Sequence, residues 1–460
     1  MKIKDNCQNK KISDIINEND NINDLFYISG KSIKQITEEN KNFFIFPPNF
    51  SKKEDDIDNL YIFSFDNTST PNTITTYNLM GIIGKNNTTL QVYSRFSNIS
   101  DKNENDFFLY YMLQKIYHLN IVNLMPTIKK GNIWDFHLMI FPYYLNRALK
   151  QGLYKKYVEH KFNDSKVKGV IDVARHLKLN NPFIGNVAYN VREHSFDNEV
   201  TQLIRHTIEF IKRDVIGKNI LKKEKETIDN VNRIIYATPT YNFRDRTKVI
   251  NKNIKLKKHP YFTYYTDLQS LCIKILKHYK VDYGQDKDNK IYGIIFDGAW
   301  LWEEYINTVL KQSKKFKFEH PQNKNKEGAI YLFSDNNQYK IYPDFYYKNK
   351  DNKDKNIVLD AKYKKLSNDK LDIDDMHQII TYMHILEAKK SCFIYPQKKE
   401  GKEDNFKIGE IGELKGYGGI VYKIPFYVPQ QEDNDDFKSY QDEMNKSEKK
   451  FIENIDKICN

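Results

Sequence analysis

The sequence predicts an α/β protein, with a mixed α+β N-terminal half joined to a C-terminal mixed sheet that is flanked by helices. The first support is a hairpin pattern: β-prone runs at 341–347 and 357–364 flank a segment, 348–356, made only of Lys, Asn and Asp. The second support is the alternation of helical and extended patterns around this hairpin. In the C-terminal part, helices are predicted at 298–311 and 372–388, and strands at 328–333, 339–347, 356–364, 390–395 and 418–428.

The N-terminal half alternates between strand-rich and helical segments. Extended runs separated by turn residues predict strands within 60–96, and apolar residues at helical spacing predict helices at 106–119 and 134–151. A further helix is predicted at 199–213. The polar cluster before this helix is interpreted either as an N-cap and salt-bridged joint or as a catalytic group. Its members are Arg192, Glu193, His194, Asp197 and Asn198.

Basic residues are concentrated in the middle of the chain. The predicted helix 221–236 and the segment 241–258 are rich in Lys and Arg, and aromatic residues follow at 261–265. This combination is typical of nucleic-acid contacts, and equally of a solvated helix face packed over aromatic side chains. The polar segment 282–290 then predicts a domain boundary.

Four regions follow from these patterns. We expect an N-terminal β-rich domain (1–150), a mostly helical middle region (151–290), a domain built on the hairpin (291–430) and a charged C-terminal tail (431–460). Within this tail, an acidic segment up to residue 442 is expected to precede a short Lys/Glu helix. The tripeptide at 30–32, Gly-Lys-Ser, is not a phosphate-binding loop, because Leu25 stands where that loop needs glycine. We see no other nucleotide-binding loop, so we expect this chain to bind no nucleotide.

The composition limits the class of protein. The 460 residues, 40% of them hydrophobic, allow two or three domains. A formal net charge of +12 favours a polyanionic partner, although the abundance of Lys, Asn, Ile and Tyr also indicates a compositional bias. The four cysteines are scattered without a CxxC pair, which argues against a zinc ribbon and fits a reducing compartment. No apolar run reaches the length of a membrane span, so we expect a cytoplasmic protein without a membrane partner.

The hairpin carries the residues with the clearest chemistry. Side chains on a strand alternate between faces, so Asp360 and Lys362 point the same way and Asp344, on the paired strand, reaches the same place. Mg²⁺ prefers a few carboxylates, and phosphodiester cleavage needs such a metal together with charge stabilisation. We therefore predict Asp344, Asp360 and the backbone carbonyl of Ala361 as Mg²⁺ ligands, with Mn²⁺ as a substitute, and Lys362 as a catalytic cation. The order Pro-Asp, then Asp-x-Lys, is the PD-(D/E)xK nuclease signature, which makes the expected sheet restriction-endonuclease-like.

Two helices add candidates to this site. On the helix before the hairpin, Glu303 lies next to the apolar stripe and is predicted as the third acid and metal ligand, with Glu304 as the alternative. On the helix after it, Gln378 and Tyr382 lie one turn apart, which resembles the QxxxY element of RecB-type nucleases. The Gln378 amide is then expected to bind a phosphate or a metal-bound water. The alternative is that Gln378 is an ordinary solvent-facing residue.

From about Thr75 to Val428 the chain resembles the McrC-like nuclease subunit of McrBC-type restriction systems, including LlaJI-type systems. Several blocks carry this resemblance in order. They are Asn78-Leu79-Met80-Gly81, Ser94-Arg95-Phe96, Gly152-Leu153-Tyr154, 169–175, 192–198, Trp302-Glu303-Glu304-Tyr305, Pro343-Asp344, Asp360-Ala361-Lys362-Tyr363 and 377–382.

The resemblance implies a division of labour between two proteins. This chain would cut double-stranded DNA, while a McrB-like AAA+ GTPase ring would read and translocate it. The N-terminal half would dock into that ring and stimulate GTP hydrolysis. Two other hypotheses remain: a stand-alone RecB-like repair or recombination nuclease, which would cut without a partner, and a non-enzymatic activator of a motor, which would never cut.

Overall fold

The structure is a computed structural model that describes most of the chain. The described residues are 1–16, 20–39, 43–46, 61–66, 73–86, 88–99, 105–117, 134–213, 215–256, 259–278, 291–321, 328–335, 338–365, 371–398, 408–416, 418–431 and 436–459. The predicted linker 282–290 lies outside them. The chain divides into two compact units, one formed by Met1–Ile133 with Lys287–Asn460 and the other by Trp134–Asp286.

Strands and helices alternate along both units. In chain order the strands are β1 (Lys2–Lys4), β2 (Lys10–Lys11), β3 (Phe43–Phe46), β4 (Phe63–Phe65), β5 (Thr73–Thr76), β6 (Leu79–Lys85), β7 (Thr88–Tyr93), β8 (Lys156–Asp164), β9 (Val170–Ile171), β10 (Val187–Ser195), β11 (Ile291–Asp297), β12 (Ile330–Tyr331), β13 (Lys340–Ile341), β14 (Phe345–Tyr347), β15 (Ile357–Ala361), β16 (Lys390–Lys398), β17 (Gly409–Glu413) and β18 (Ile420–Val428). The helices are α1 (Ile22–Ser29), α2 (Ile33–Glu39), α3 (Phe107–Tyr117), α4 (Trp134–Lys150), α5 (Val173–Leu179), α6 (Glu199–Ile211), α7 (Val215–Ile220), α8 (Lys225–Ala237), α9 (Arg246–Asn253), α10 (Tyr265–His278), α11 (Gly298–Leu310), α12 (Ile373–Ile385) and α13 (Phe437–Cys459).

The first unit contains a five-stranded sheet with the order β1-β7-β6-β11-β3. Strand β11 is antiparallel to β6 and parallel to β3. It comes so close to β6 that a Cβ atom at Gly81, whose φ is +137°, would meet the Ile294 carbonyl oxygen at 2.0 Å. The sequence predicted separate domains at 1–150 and 291–430. The structure differs, because β11, from the second range, lies in a sheet whose other strands come from the first.

The second large sheet of this unit has the order β14-β15-β16-β18-β17. Strands β15, β16 and β18 are parallel, and β14 and β17 are antiparallel at the two edges. Helix α12 connects β15 to β16, as expected for a parallel pair. The predicted hairpin and the mixed sheet are confirmed. The predicted strand 339–347 is divided, since β13 pairs with β12 and only β14 joins this sheet.

The short helix predicted in the charged tail is longer than expected, since α13 has 23 residues and begins at Phe437. Its buried apolar side chains recur at helical spacing and are Tyr440, Met444, Phe451, Ile455 and Ile458. Glu448, on the same helix, is 2% exposed and accepts hydrogen bonds of 2.9 Å from the hydroxyls of both Tyr111 and Tyr305. The helix is therefore part of the core of this unit, because its apolar stripe is covered while its charged residues other than Glu448 are partly or fully exposed.

The second unit combines helices α4 to α10 with a three-stranded sheet of order β8-β10-β9. The N-cap interpretation of the cluster before α6 is confirmed, because the Asn198 side chain accepts hydrogen bonds from the Val200 and Thr201 amides at 3.1 and 3.4 Å. Asp197 accepts a 3.0 Å hydrogen bond from the Thr240 amide. In the part of the chain that the structure describes, no helix is both long and apolar enough to span a bilayer.

Candidate active site

The β14–β15 hairpin brings the two predicted carboxylates together. Phe345 pairs with Leu359, so Asp344 and Asp360 follow as the next pair at the end of the ladder. The amide of Ala361 donates a 2.7 Å hydrogen bond to Asp344 Oδ2. Asp360 is only 1% exposed, because both faces of β15 are covered. The local hairpin pattern is therefore sufficient to place both acids at one point.

The surroundings of both carboxylates disfavour the ionised form. Burial, followed by repulsion from Asp360, raises the pKa of Asp344 to about 7. Burial also raises the pKa of Asp360, although the neighbouring Lys362 opposes the shift. Apart from its ion pair with Lys362, neither Asp360 oxygen accepts a hydrogen bond from a described residue. A cation bound here would reduce the repulsion between the two carboxylates. It would also give the Asp360 oxygens a partner in addition to Lys362.

Lys362 connects the carboxylates to α12. Its Nζ lies 2.8 Å from Asp360 Oδ2 and 3.4 Å from Asp375 Oδ1, and it donates a 2.8 Å hydrogen bond to Gln378 Oε1. Burial disfavours the ammonium, but the surrounding carboxylates outweigh burial and raise the pKa of Lys362. The Gln378 amide in turn donates to the Tyr382 hydroxyl at 2.7 Å. Gln378 is thus beside Lys362, and Asp375 is a second α12 contact that the sequence did not single out.

The side chains of Glu303 and Glu304 both lie near His320, which the sequence did not predict as a site residue. Helix α11 begins at its N-cap Asp297, and both glutamates lie on its partly buried side. His320 Nδ1 lies 3.7 Å from Glu303 Oε1 and Nε2 lies 3.5 Å from Glu304 Oε1. The same Nδ1 donates a 2.8 Å hydrogen bond to the Asp344 carbonyl. Both glutamates therefore lie close to His320, which contacts Asp344 at the site. The distances favour neither glutamate over the other as the third acid.

His320 reaches the site through a short bridge between distant segments. Glu319 pairs with Tyr346, with backbone hydrogen bonds of 2.8 and 3.0 Å. The His320 ring then stacks on Phe345, with centroids 4.9 Å apart. No local periodicity in the sequence marks this isolated bridge. The only sequence feature that could have indicated His320 is its position directly before a proline, between α11 and the hairpin.

Tyr363, which follows β15, contacts residues that follow β7 in the other five-stranded sheet of the unit. Its hydroxyl lies 2.7 Å from Ser94 Oγ, and its ring packs edge-on against Phe96 with centroids 5.2 Å apart. The Arg95 guanidinium lies 4.9 Å from the centre of the same ring and forms a buried ion pair with Asp5. Two blocks that carry the sequence resemblance, 94–96 and 360–363, are therefore in direct contact beside Lys362.

The donor set suits a hard cation with few protein ligands. In the residues the structure describes, no group of three or more His, Cys, Asp and Glu side chains is arranged to hold a metal. The Asp344 and Asp360 carboxylates are adjacent, however, and Mg²⁺ usually keeps several waters and takes only one or two carboxylates. The residues present thus fit Mg²⁺ held by two carboxylates, and do not resemble a zinc site.

The fold and the site together define a mixed α/β protein with one buried and one half-buried acid, a lysine and a glutamine at one end of a mixed sheet. A model of the family described as "McrBC 5-methylcytosine restriction system component" matches residues 74–396. The chain belongs to this family, which confirms the family indicated by the sequence resemblance.

Two solved structures are similar to the chain. One is a refined half-complex from a tetradecameric assembly of Thermococcus gammatolerans McrB AAA+ hexamers with bound McrC, with 16% identity, coverage of 100% of this chain and 99% of that chain, and a TM-score of 0.48. The other is a cryo-EM structure of the Thermococcus gammatolerans McrBC complex, with 15% identity, coverage of 68% and 87%, and a TM-score of 0.30. No curated protein matches the sequence.

Proposed function

We propose that this chain is the McrC-like nuclease subunit of a two-component, GTP-dependent DNA restriction complex. The observation that carries the proposal is the convergence of Asp344, Asp360, Lys362 and Gln378 from two strands and a helix. This set matches the PD-(D/E)xK pattern, and a mixed sheet with a parallel centre and an antiparallel hairpin supports it. The reaction is the Mg²⁺-dependent hydrolysis of DNA phosphodiester bonds.

Each residue has a defined task in this proposal. Asp344 and Asp360, with the Ala361 carbonyl, would hold Mg²⁺, and Glu303, with Glu304 as the alternative, is the candidate third acid at the border of the site. A bound Mg²⁺ supplies charge to the phosphate and acidifies water. Lys362 presents a fixed positive charge to the phosphate, and Gln378 holds its Nζ in place at 2.8 Å. Because the pKa of Asp344 is about 7, this carboxyl becomes fully available for metal only above neutral pH.

The family and the sequence both support a GTPase as the proposed partner. The family is that of a restriction-system component, and the sequence has no nucleotide-binding loop. GTP hydrolysis is therefore assigned to a McrB-like AAA+ ring, which this chain stimulates. The formal charge of +12 suits contact with the backbone of double-stranded DNA, so cleavage should weaken steeply as salt rises.

The test is co-purification of this chain with the product of the neighbouring gene, which we expect to be an AAA+ GTPase. We expect a stable complex that cuts plasmid DNA only when GTP and Mg²⁺ are both present, and that hydrolyses GTP faster than the GTPase alone. Plasmids with and without 5-methylcytosine report the modification requirement. Cleavage by this chain without partner or GTP would favour a stand-alone nuclease. Stimulated GTP hydrolysis with no cleavage of either plasmid would favour a non-enzymatic activator.

A further inference from the structure

A small hairpin just before the candidate active site carries exposed aromatic rings. It consists of β12 and β13 with the adjoining residues 332–335 and 338–339, and is called the aromatic hairpin below. Ile330 pairs with Ile341, and Tyr331 pairs with Lys340. Both isoleucines pack against the cluster that contains Tyr346 and Tyr382. The hairpin is thus anchored to the core by its isoleucines rather than by its aromatic residues.

The aromatic side chains themselves face solvent. Tyr331, Phe333 and Tyr339 are 41%, 52% and 54% exposed. The Phe333 and Tyr339 rings meet edge to face with centroids 5.7 Å apart. Lys340 Nζ lies 5.4 Å from the centre of the Tyr331 ring. Three large rings grouped on one short hairpin form a surface that is well suited to binding, unlike a single exposed apolar residue.

The aromatic hairpin is directly linked to the proposed catalytic residues. Tyr342 follows β13, and its carbonyl accepts a 3.4 Å hydrogen bond from the Tyr382 hydroxyl. That hydroxyl accepts from the Gln378 amide, whose other end contacts Lys362. Asp344 lies only three residues after the end of β13. The aromatic hairpin is therefore connected, through Tyr342 and Tyr382, to the site at which the proposed function places phosphodiester cleavage.

The chemistry of this surface fits unpaired nucleotides. Bases in a duplex cover each other's faces, whereas bases in a single strand can stack on protein rings. The Lys340 ammonium beside Tyr331 adds a positive charge for the phosphate that accompanies a stacked base. Rings interleaved with cations are the usual composition of a single-strand binding surface.

We propose that the aromatic hairpin binds unpaired nucleotides of the DNA strand next to the cleavage site, by stacking of bases on Phe333, Tyr339 and Tyr331. This inference rests on the proposed nuclease function and adds a substrate contact to it. It predicts that DNA opened near the cleavage site is held by the nuclease subunit itself.

The test is equilibrium binding of the full-length chain to fluorescently labelled oligonucleotides in EDTA, measured by anisotropy. Stacking contributes about tenfold or more in affinity per base. We therefore expect Phe333→Ala/Tyr339→Ala to weaken binding of a single-stranded 20-mer by at least about tenfold, with little change for the blunt duplex. The variant Phe333→Leu/Tyr339→Leu keeps apolar bulk and should lose the same affinity. The matched control is Tyr61→Ala/Phe183→Ala, which removes two aromatic residues that are 42% and 64% exposed elsewhere.

The outcomes separate this inference from the nuclease proposal. Unchanged single-strand affinity in both hairpin variants would overturn it, and so would an equal loss for single-stranded and duplex DNA. A loss of complex formation with the GTPase, with unchanged DNA binding, would also overturn it and identify a protein-binding surface. Because the assay needs neither metal nor cleavage, an inactive Asp360→Asn protein should bind the single strand like wild type.

Discussion

Replacement of Lys362 by Met is expected to lower the rate of DNA cleavage by the reconstituted complex about a thousandfold. Lys362 is the one cation that contacts Asp360, Asp375 and Gln378 together among the described residues. Methionine is also unbranched and only one atom shorter, but it removes the charge and the hydrogen bond to Gln378. Single-turnover cleavage with saturating GTP and Mg²⁺ measures the effect on the chemical step.

The neighbouring Lys364 provides the matched control. It lies two residues further along and pairs with Asp372 at 2.7 Å and also with Asp375, without a contact to Asp360. Lys364→Met should therefore leave most of the cleavage rate intact, and both variants should stimulate GTP hydrolysis like wild type. Equal cleavage rates for Lys362→Met and Lys364→Met would show that Lys362 has no special role in the reaction.

Replacement of Glu448 by Ala is expected to lower the free energy of unfolding of the first unit by about 3 kcal/mol. Glu448 accepts hydrogen bonds from the hydroxyls of Tyr111 and Tyr305 and lies 2.8 Å from Lys115 Nζ. The substitution leaves two buried hydroxyls without this acceptor and one partly exposed ammonium without its counter-charge. Urea denaturation followed by tryptophan fluorescence measures the loss, since Trp302 packs against Tyr305.

Glu453 on the same helix is the control for this prediction. Its side chain is 62% exposed and lies 3.9 Å from Lys450, so Glu453→Ala should change stability very little. If Glu448→Ala and Glu453→Ala unfold at the same urea concentration, the buried network around Glu448 does not stabilise the unit.

Local patterns were enough to predict that the central residues of the candidate site lie close together. The alternation of β14 and β15 placed Asp344 beside Asp360, and the 3.6-residue period of α12 placed Gln378 and Tyr382 on one side. Both predictions use residues that are neighbours within one element or one hairpin. Glu303 was predicted from its position beside the apolar stripe of α11, and the structure brings it to His320 at the border of the site.

Contacts between distant segments were not predicted, because no local pattern encodes them. Strand β11 pairs in parallel with β3, about 250 residues earlier in the sequence, and this pairing merges two expected domains. His320 depends on a single bridge between Glu319 and Tyr346. The helix expected after residue 442 was predicted too short, since the many charged residues of α13 obscured a regular apolar stripe in the sequence.

Metal binding by the isolated chain tests the central claim most directly. Titration of Mn²⁺ followed by electron paramagnetic resonance should show a site that Asp360→Asn abolishes and Asp354→Asn, in the exposed turn of the same hairpin, leaves intact. The pKa of Asp344 is about 7, so a proton competes with the metal below neutrality and the wild-type affinity should be about tenfold lower at pH 6 than at pH 8. The account predicts loss of this site in Asp360→Asn. Wild-type Mn²⁺ affinity in Asp360→Asn would contradict it.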